Sequence, residues 1–112
     1  MNIINLLKNA TATGSSAVMN AYDLNFNVAD GASVQCTVSG SGAVAATVDF
    51  KVSNDNKGWI TAATFVLSGS AIDTAMMRIN DFNFDNQIFL YYKADITSLS
   101  GTNAAVDFTL VT

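Results

Sequence analysis

The chain has 112 residues, half of them hydrophobic and only 12% charged. That is enough apolar material for one domain with a real core, and it excludes the charge-rich, apolar-poor composition of a disordered chain. Nine acidic groups against five basic ones give a net charge of −4, with no histidine and no proline. No basic patch of the kind that binds nucleic acid or anionic lipid stands out.

Ile3, Ile4, Leu6 and Leu7 open the chain without strict alternation. They suit an edge strand, a single helical turn, or an arm docked on a partner. The start has no basic residues, and its apolar run is shorter than a signal-peptide core of about 7–15 residues. No run approaches the roughly 20 apolar residues of a membrane span. We therefore expect synthesis in the cytosol without export by its own signal, and no membrane partner. Thr11 to Ser16 reads as a loop. Residues 1–16 are accordingly an arm or edge strand plus loop, and residues 17–112 the main domain.

From Ala17 to Val28, Tyr22, Leu24, Phe26 and Val28 alternate with Asp23, Asn25 and Asn27. Side chains on a strand point alternately to its two faces, so this is an amphipathic strand. Ala29-Asp30-Gly31 is a turn signal. Val34, Cys36 and Val38 then share one face. Gly40-Ser41-Gly42 predicts a short reversal into Ala43–Ser53, where Val44, Ala46, Val48, Phe50 and Val52 line one side. Ser53-Asn54-Asp55-Asn56-Lys57-Gly58 supplies the left-handed conformations of a hairpin turn. Trp59 to Leu67 is the return strand, and Ser68-Gly69-Ser70 the next turn. Met76 and Met77 break the alternation, and Asp81 to Asn86 reads as strand or loop. Ile88, Leu90, Tyr92, Ala94 and Ile96 lie on one face, with Phe89, Tyr91, Lys93 and Asp95 on the other. Ser98 to Asn103 turns, and Ala104, Val106, Phe108 and Leu110 run along the last strand.

The expected fold is all-β: an antiparallel β-sandwich, jelly-roll or Ig-like, of about seven or eight short strands. Its candidate core is Leu24, Phe26, Val34, Cys36, Val48, Phe50, Trp59, Leu90 and Phe108. Cys36 is the only cysteine, sits in phase with the apolar face, and has no basic neighbour to activate it. It reads as a small buried hydrophobe. Trp59 suits the core or an interface better than a sugar-stacking platform.

Catalytic chemistry is not expected. Without histidine there is no Ser-His-Asp triad, no Cys-His pair and no imidazole metal ligand. The Asp81-Phe82-Asn83-Phe84-Asp85 run is explained by polar-out, aromatic-in alternation better than by calcium. The Asn54–Gly58 run lacks the closing acid of a calcium loop. No metal and no cofactor are predicted.

Three stretches resemble small virion-associated proteins of tailed bacteriophages. The first is Asn5-Leu6-Leu7-Lys8-Asn9-Ala10-Thr11-Ala12-Thr13-Gly14 with Ala17-Val18. The second is Val52-Ser53-Asn54-Asp55, then Gly58-Trp59 and Leu67-Ser68-Gly69. The third is Tyr91-Tyr92-Lys93-Ala94-Asp95-Ile96-Thr97, then Leu99-Ser100-Gly101-Thr102 and Ala105-Val106. Between Ala71 and Gln87 the chain departs from that pattern, holding Met76, Met77, Phe82 and Phe84 in place of a proline-containing loop. The resemblance implies a non-enzymatic β-sandwich located in the virion. Its expected role is capsid decoration (cement), with a tail, collar or fibre component or a carbohydrate-binding module as the alternatives. The implied partners are copies of itself, with a trimer favoured, and a major capsid or tail protein. Ile3, Ile4, Leu6, Leu7, Phe89 and Tyr91 are the candidate contact residues.

Overall fold

The computed structural model describes residues 3–20, 32–78 and 89–111. All regular structure in them is strand: β1 (Ile3–Ala10), β2 (Gly14–Ser15), β3 (Met19–Asn20), β4 (Ser33–Ser53), β5 (Ile60–Arg78) and β6 (Tyr91–Val111). The chain is all-β, as its composition and alternation predict. The six strands form one antiparallel sheet in the order β1-β6-β4-β5. β1 lies against residues 106–111 of β6, β2 against Asp95 and Ile96, and β3 against Tyr91 and Tyr92. Residues 3–20 thus form one interrupted edge along a single neighbour. Residues 3–15 belong to the same sheet as the rest of the described chain.

The strands are not the short ones expected. β4 and β6 run for 21 residues each and β5 for 19. Gly40-Ser41-Gly42, Ser68-Gly69-Ser70 and Ser98–Asn103 are not reversals. Each is a corner inside one long strand, and pairing resumes on its far side. Ser39 faces Ile72 before the corner and Ala43 faces Ser70 after it, while β6 carries matching register shifts against β4. Bulges bend a strand without ending its ladder. Gly40 and Gly101 show why glycine stands there. A Cβ on Gly40 would lie 2.8 Å from the Thr102 carbonyl oxygen. Gly101 has φ +119°, and its Cβ would lie 2.6 Å from the Ala43 oxygen.

The bend is large. A straight strand of 21 residues spans about 69 Å, yet the longest dimension of the molecule is 39 Å. Phe50 pairs with Ala94, and Phe108 lies fourteen residues further along β6, about 46 Å on a straight strand. The rings of Phe50 and Phe108 nevertheless stack with centroids 5.4 Å apart. The sheet has folded at its corner line so that its two halves touch. Phe50 also stacks on Tyr92 at 5.8 Å, and Phe65 meets Phe108 edge-on at 5.6 Å. Between them lie Val34, Cys36, Val38, Val48, Val106 and Leu110, all buried.

Of the candidate core, Val34, Cys36, Val48, Phe50 and Phe108 are buried. Burial, helped by nearby Asp107, pushes the Cys36 thiol up to about 12, so it stays a neutral thiol. Leu24 and Phe26 lie outside the described residues, as does the Asp81–Asp85 run. Two core assignments are corrected. Leu90 is exposed because it precedes β6; its N–H bonds to Asn54 Oδ1, and no pleat directs its side chain inward. Trp59 is half-buried because it sits in the last residue before β5, where it covers Lys93 on the outer face.

Candidate assembly surface

The residues expected to meet a partner are not gathered into one patch. β1 is laddered onto β6, with Ile3 opposite Val111 and Ile4 opposite Leu110. Leu7 is buried, Ile4 and Leu6 are half-buried, and only Ile3 is well exposed. The N-terminal stretch is an edge strand of its own sheet and not a free arm. Phe89 does not point outward as expected; it packs against the core, with its N–H donating to Tyr92 Oη. Tyr91 is half-buried and faces Asn20 and Ser53.

The turn after β4 is built by its own side chains. Asp55 Oδ1 accepts from the N–H groups of Lys57 and Gly58 at 2.9 and 2.8 Å, and Ser53 Oγ accepts from the Asn56 N–H at 3.1 Å. The hydrogen bonds from the Lys57 and Gly58 N–H groups and from Ser53 Oγ hold the exposed Asp55 carboxyl below its ordinary value. A carboxylate occupied in this way shapes a turn.

On the outer face of the half that holds residues 44–53 and 91–96, β4 and β6 set Asp49 opposite Asp95 and Lys51 opposite Lys93. Opposite charges meet on one diagonal, Lys51 with Asp95, and along β6, Lys93 with Asp95. Lys51 Nζ lies 2.9 Å from Asp95 Oδ2, and Lys93 Nζ lies 3.9 Å from it. Lys93 Nζ also lies 4.5 Å from the centre of the Trp59 ring, a cation–π contact. Thr64 donates to Asp49 Oδ1 at 2.7 Å. Burial pushes the Asp95 carboxyl up, but hydrogen bonds from Ser15 and Lys51 and the nearby positive charges outweigh it, and the net shift is downward. The hydrogen bond to Asp95 in turn raises Lys51. This is a neutral, internally paired cluster that ties β2 and β6 to β4. Its tryptophan ring already carries a lysine on one face.

The exposed apolar surface lies elsewhere, on β5. Val66, Ile72 and Met76 face Thr47, Ser39 and Gln35 of β4 and are 75%, 60% and 73% exposed. Their neighbours Phe65 and Leu67 are buried, and Ala75 and Met77 pack against the core. Ile60 adds a fourth exposed apolar side chain at the start of the strand. From Ile60 to Ile72 there is no charged residue. Sequence reasoning missed this stripe because it placed a turn at Ser68–Ser70 and took Met76-Met77 as a break. With the strand continuous, Met76 points out and Met77 in, so the alternation is unbroken. The available signal was parity: Val66, Ile72 and Met76 are all even, opposite in phase to Phe65 and Leu67.

Among the described residues, no three histidine, cysteine, aspartate or glutamate side chains converge as a metal site would require. Comparison with protein-family models, curated proteins and solved structures found no match.

Proposed function

We propose that this chain is a non-enzymatic structural protein of a tailed-phage virion. In this reading it is a decoration (cement) protein that binds the head, associates there with copies of itself, and stabilises the shell. The observation that carries the reading is on β5: Ile72 and Met76, 60% and 73% exposed, stand four residues apart on the same outward face of one arm, and Val66, 75% exposed, stands on the outward face of the other arm, on a strand almost free of charge. Apolar side chains grouped on one surface are the mark of a contact region, whereas scattered ones need no explanation. The internally paired Lys51–Asp95 cluster and the lysine-capped Trp59 offer a sugar ring less than they would in a binding module. The architecture fits the same role. We take the folded sheet as a sandwich whose two layers are halves of the same strands, a stiff body suited to clamping a shell.

The test is binding to heads of the encoding phage that lack decoration. Purified protein is expected to co-sediment with them, in copy number set by the capsid lattice. Val66→Asp combined with Met76→Asp is expected to keep the melting temperature and lose the binding. Absence of binding by the wild-type protein would overturn the reading. Binding at the tail alone, with a copy number fixed by tail symmetry, would replace it with a tail component.

A further inference from the structure

A long edge strand without proline exposes backbone N–H and C=O groups that another strand can pair with. Among the described residues β5 is such a strand. One side pairs with β4 over 17 register positions, and no described strand pairs with the other side. Its sequence does little to deter pairing: between Ile60 and Met77 the only charged residue is Asp73.

Asp73 is placed where it matters. Its Oδ2 accepts the Ser68 N–H at 3.0 Å and its Oδ1 accepts the Thr74 N–H at 3.0 Å. A backbone N–H committed to a carboxylate on its own strand is not committed to the ladder with β4. In an antiparallel strand, an N–H that turns away from its partner turns toward the free edge. Both groups are therefore edge donors, and one side chain occupies both. Ala71 lies between them with φ +69°, a bulge conformation that alanine rarely adopts. The corner is held in a shape that a flat incoming strand does not match.

We propose that Asp73 is a guard residue that keeps the β5 edge closed to a strand from a second copy of this chain. A second copy is the occupant it excludes because β5 matches itself across a two-fold axis at Thr74. Antiparallel pairing there sets exposed Ile72 opposite Met76 of the twin, and Met76 opposite its Ile72. Both pairs lie on one face, and each covers a side chain that is now exposed. No like charges meet in that register, since Asp73 falls opposite Ala75. The carboxylate stands in the way by taking the Thr74 N–H on the axis itself. That such a restraint serves timed assembly rests on the virion reading above; the restraint itself does not.

The test is absolute mass by light scattering over a wide dilution series, with head binding measured separately. The wild type is expected to keep the mass of a single chain. Asp73→Ala is expected to approach twice that mass as concentration rises, and Asp73→Ala/Met76→Lys to return to a single chain, because a lysine on the edge restores the deterrent. A wild type that is already a dimer or trimer would overturn the proposal, as would an Asp73→Ala protein that folds and stays monomeric. Association that survives Met76→Lys would be aggregation of a damaged chain and would also overturn it. Should Asp73→Ala fail to fold, Asp73→Val, which keeps a branched side chain and removes both acceptors, carries the same outcomes. Failure of head binding alone would remove the virion reading and leave these masses unaffected.

Discussion

β4 and β5 are almost equally long, run side by side, and bend at the same corner, yet they are used differently. β4 buries Val34, Cys36, Val38, Val44, Ala46, Val48, Phe50 and Val52 across both arms, and β5 buries only Phe65 and Leu67. β4 lies between β6 and β5, so both of its edges are hydrogen-bonded. Among the described strands β5 has one laddered edge, and its second arm places Asp73 and Ala75 opposite Val38 and Cys36 of β4. Composition does not separate the two strands; position in the sheet does. The central strand takes the burial, and the edge strand keeps apolar side chains outside, where they can meet something else.

The largest effect should come from the centre. Phe50→Ala removes the ring that joins the two halves of the sheet and should cost about 3–5 kcal/mol in chemical denaturation. A near-neutral result would mean that the halves are not held by that contact, and the contrast with β5 would lose its basis. At the corner, Gly40→Ala in β4 drives a methyl against the Thr102 carbonyl and should cost about 1–3 kcal/mol. No loss of stability would show that the corner yields.

The polar face shared by β4 and β6 sharpens the comparison through pH. The Asp95 carboxyl sits below its ordinary value in the fold. Its ionised form therefore adds stability above the unfolded value of about 3.9, and that stability is lost as pH falls through the lower folded value. The wild type should melt higher than Asp95→Asn at pH 7, and the gap should narrow as pH falls below the unfolded value of about 3.9. A gap independent of pH would mean that Lys51 and Lys93 contribute nothing through charge. The smallest effect belongs to the edge: Val66→Lys should change stability by no more than about 0.5 kcal/mol. A large loss would show that Val66 is covered within the monomer.

Much of this was legible in the sequence, for a physical reason. Where Val34 to Val38, Val44 to Val52 and Ala104 to Leu110 alternate, one face is buried along the whole run, and period two reports it directly. The corners were not legible. A three-residue reversal pairs residue i with i+4 and keeps both on the same face. A bend at Gly40–Gly42 preserves the same parity, so the pattern on either side cannot tell a hairpin from a kinked strand. Leu90 and Trp59 were misplaced because both stand just outside a strand, where the pleat no longer fixes direction. The contact surface was sought at the apolar N-terminus. Leu7 is there because β6 needs a neighbour, and the exposed stripe on β5 was hidden behind a supposed turn.

The pairing of β1 with β6 has a consequence in time. Thr109 Oγ1 donates to Asn5 Oδ1 across a sequence separation of 104 residues, so β1 waits for β6 before it has its partner. At about 5–20 residues per second, that wait is on the order of 5–20 s on the ribosome. Through that interval Ile3, Ile4, Leu6 and Leu7 have no β6 to cover them. The step that pairs β1 with β6 waits until β6 has been made, and the window before it is when a chaperone or a neighbouring nascent chain can reach those side chains.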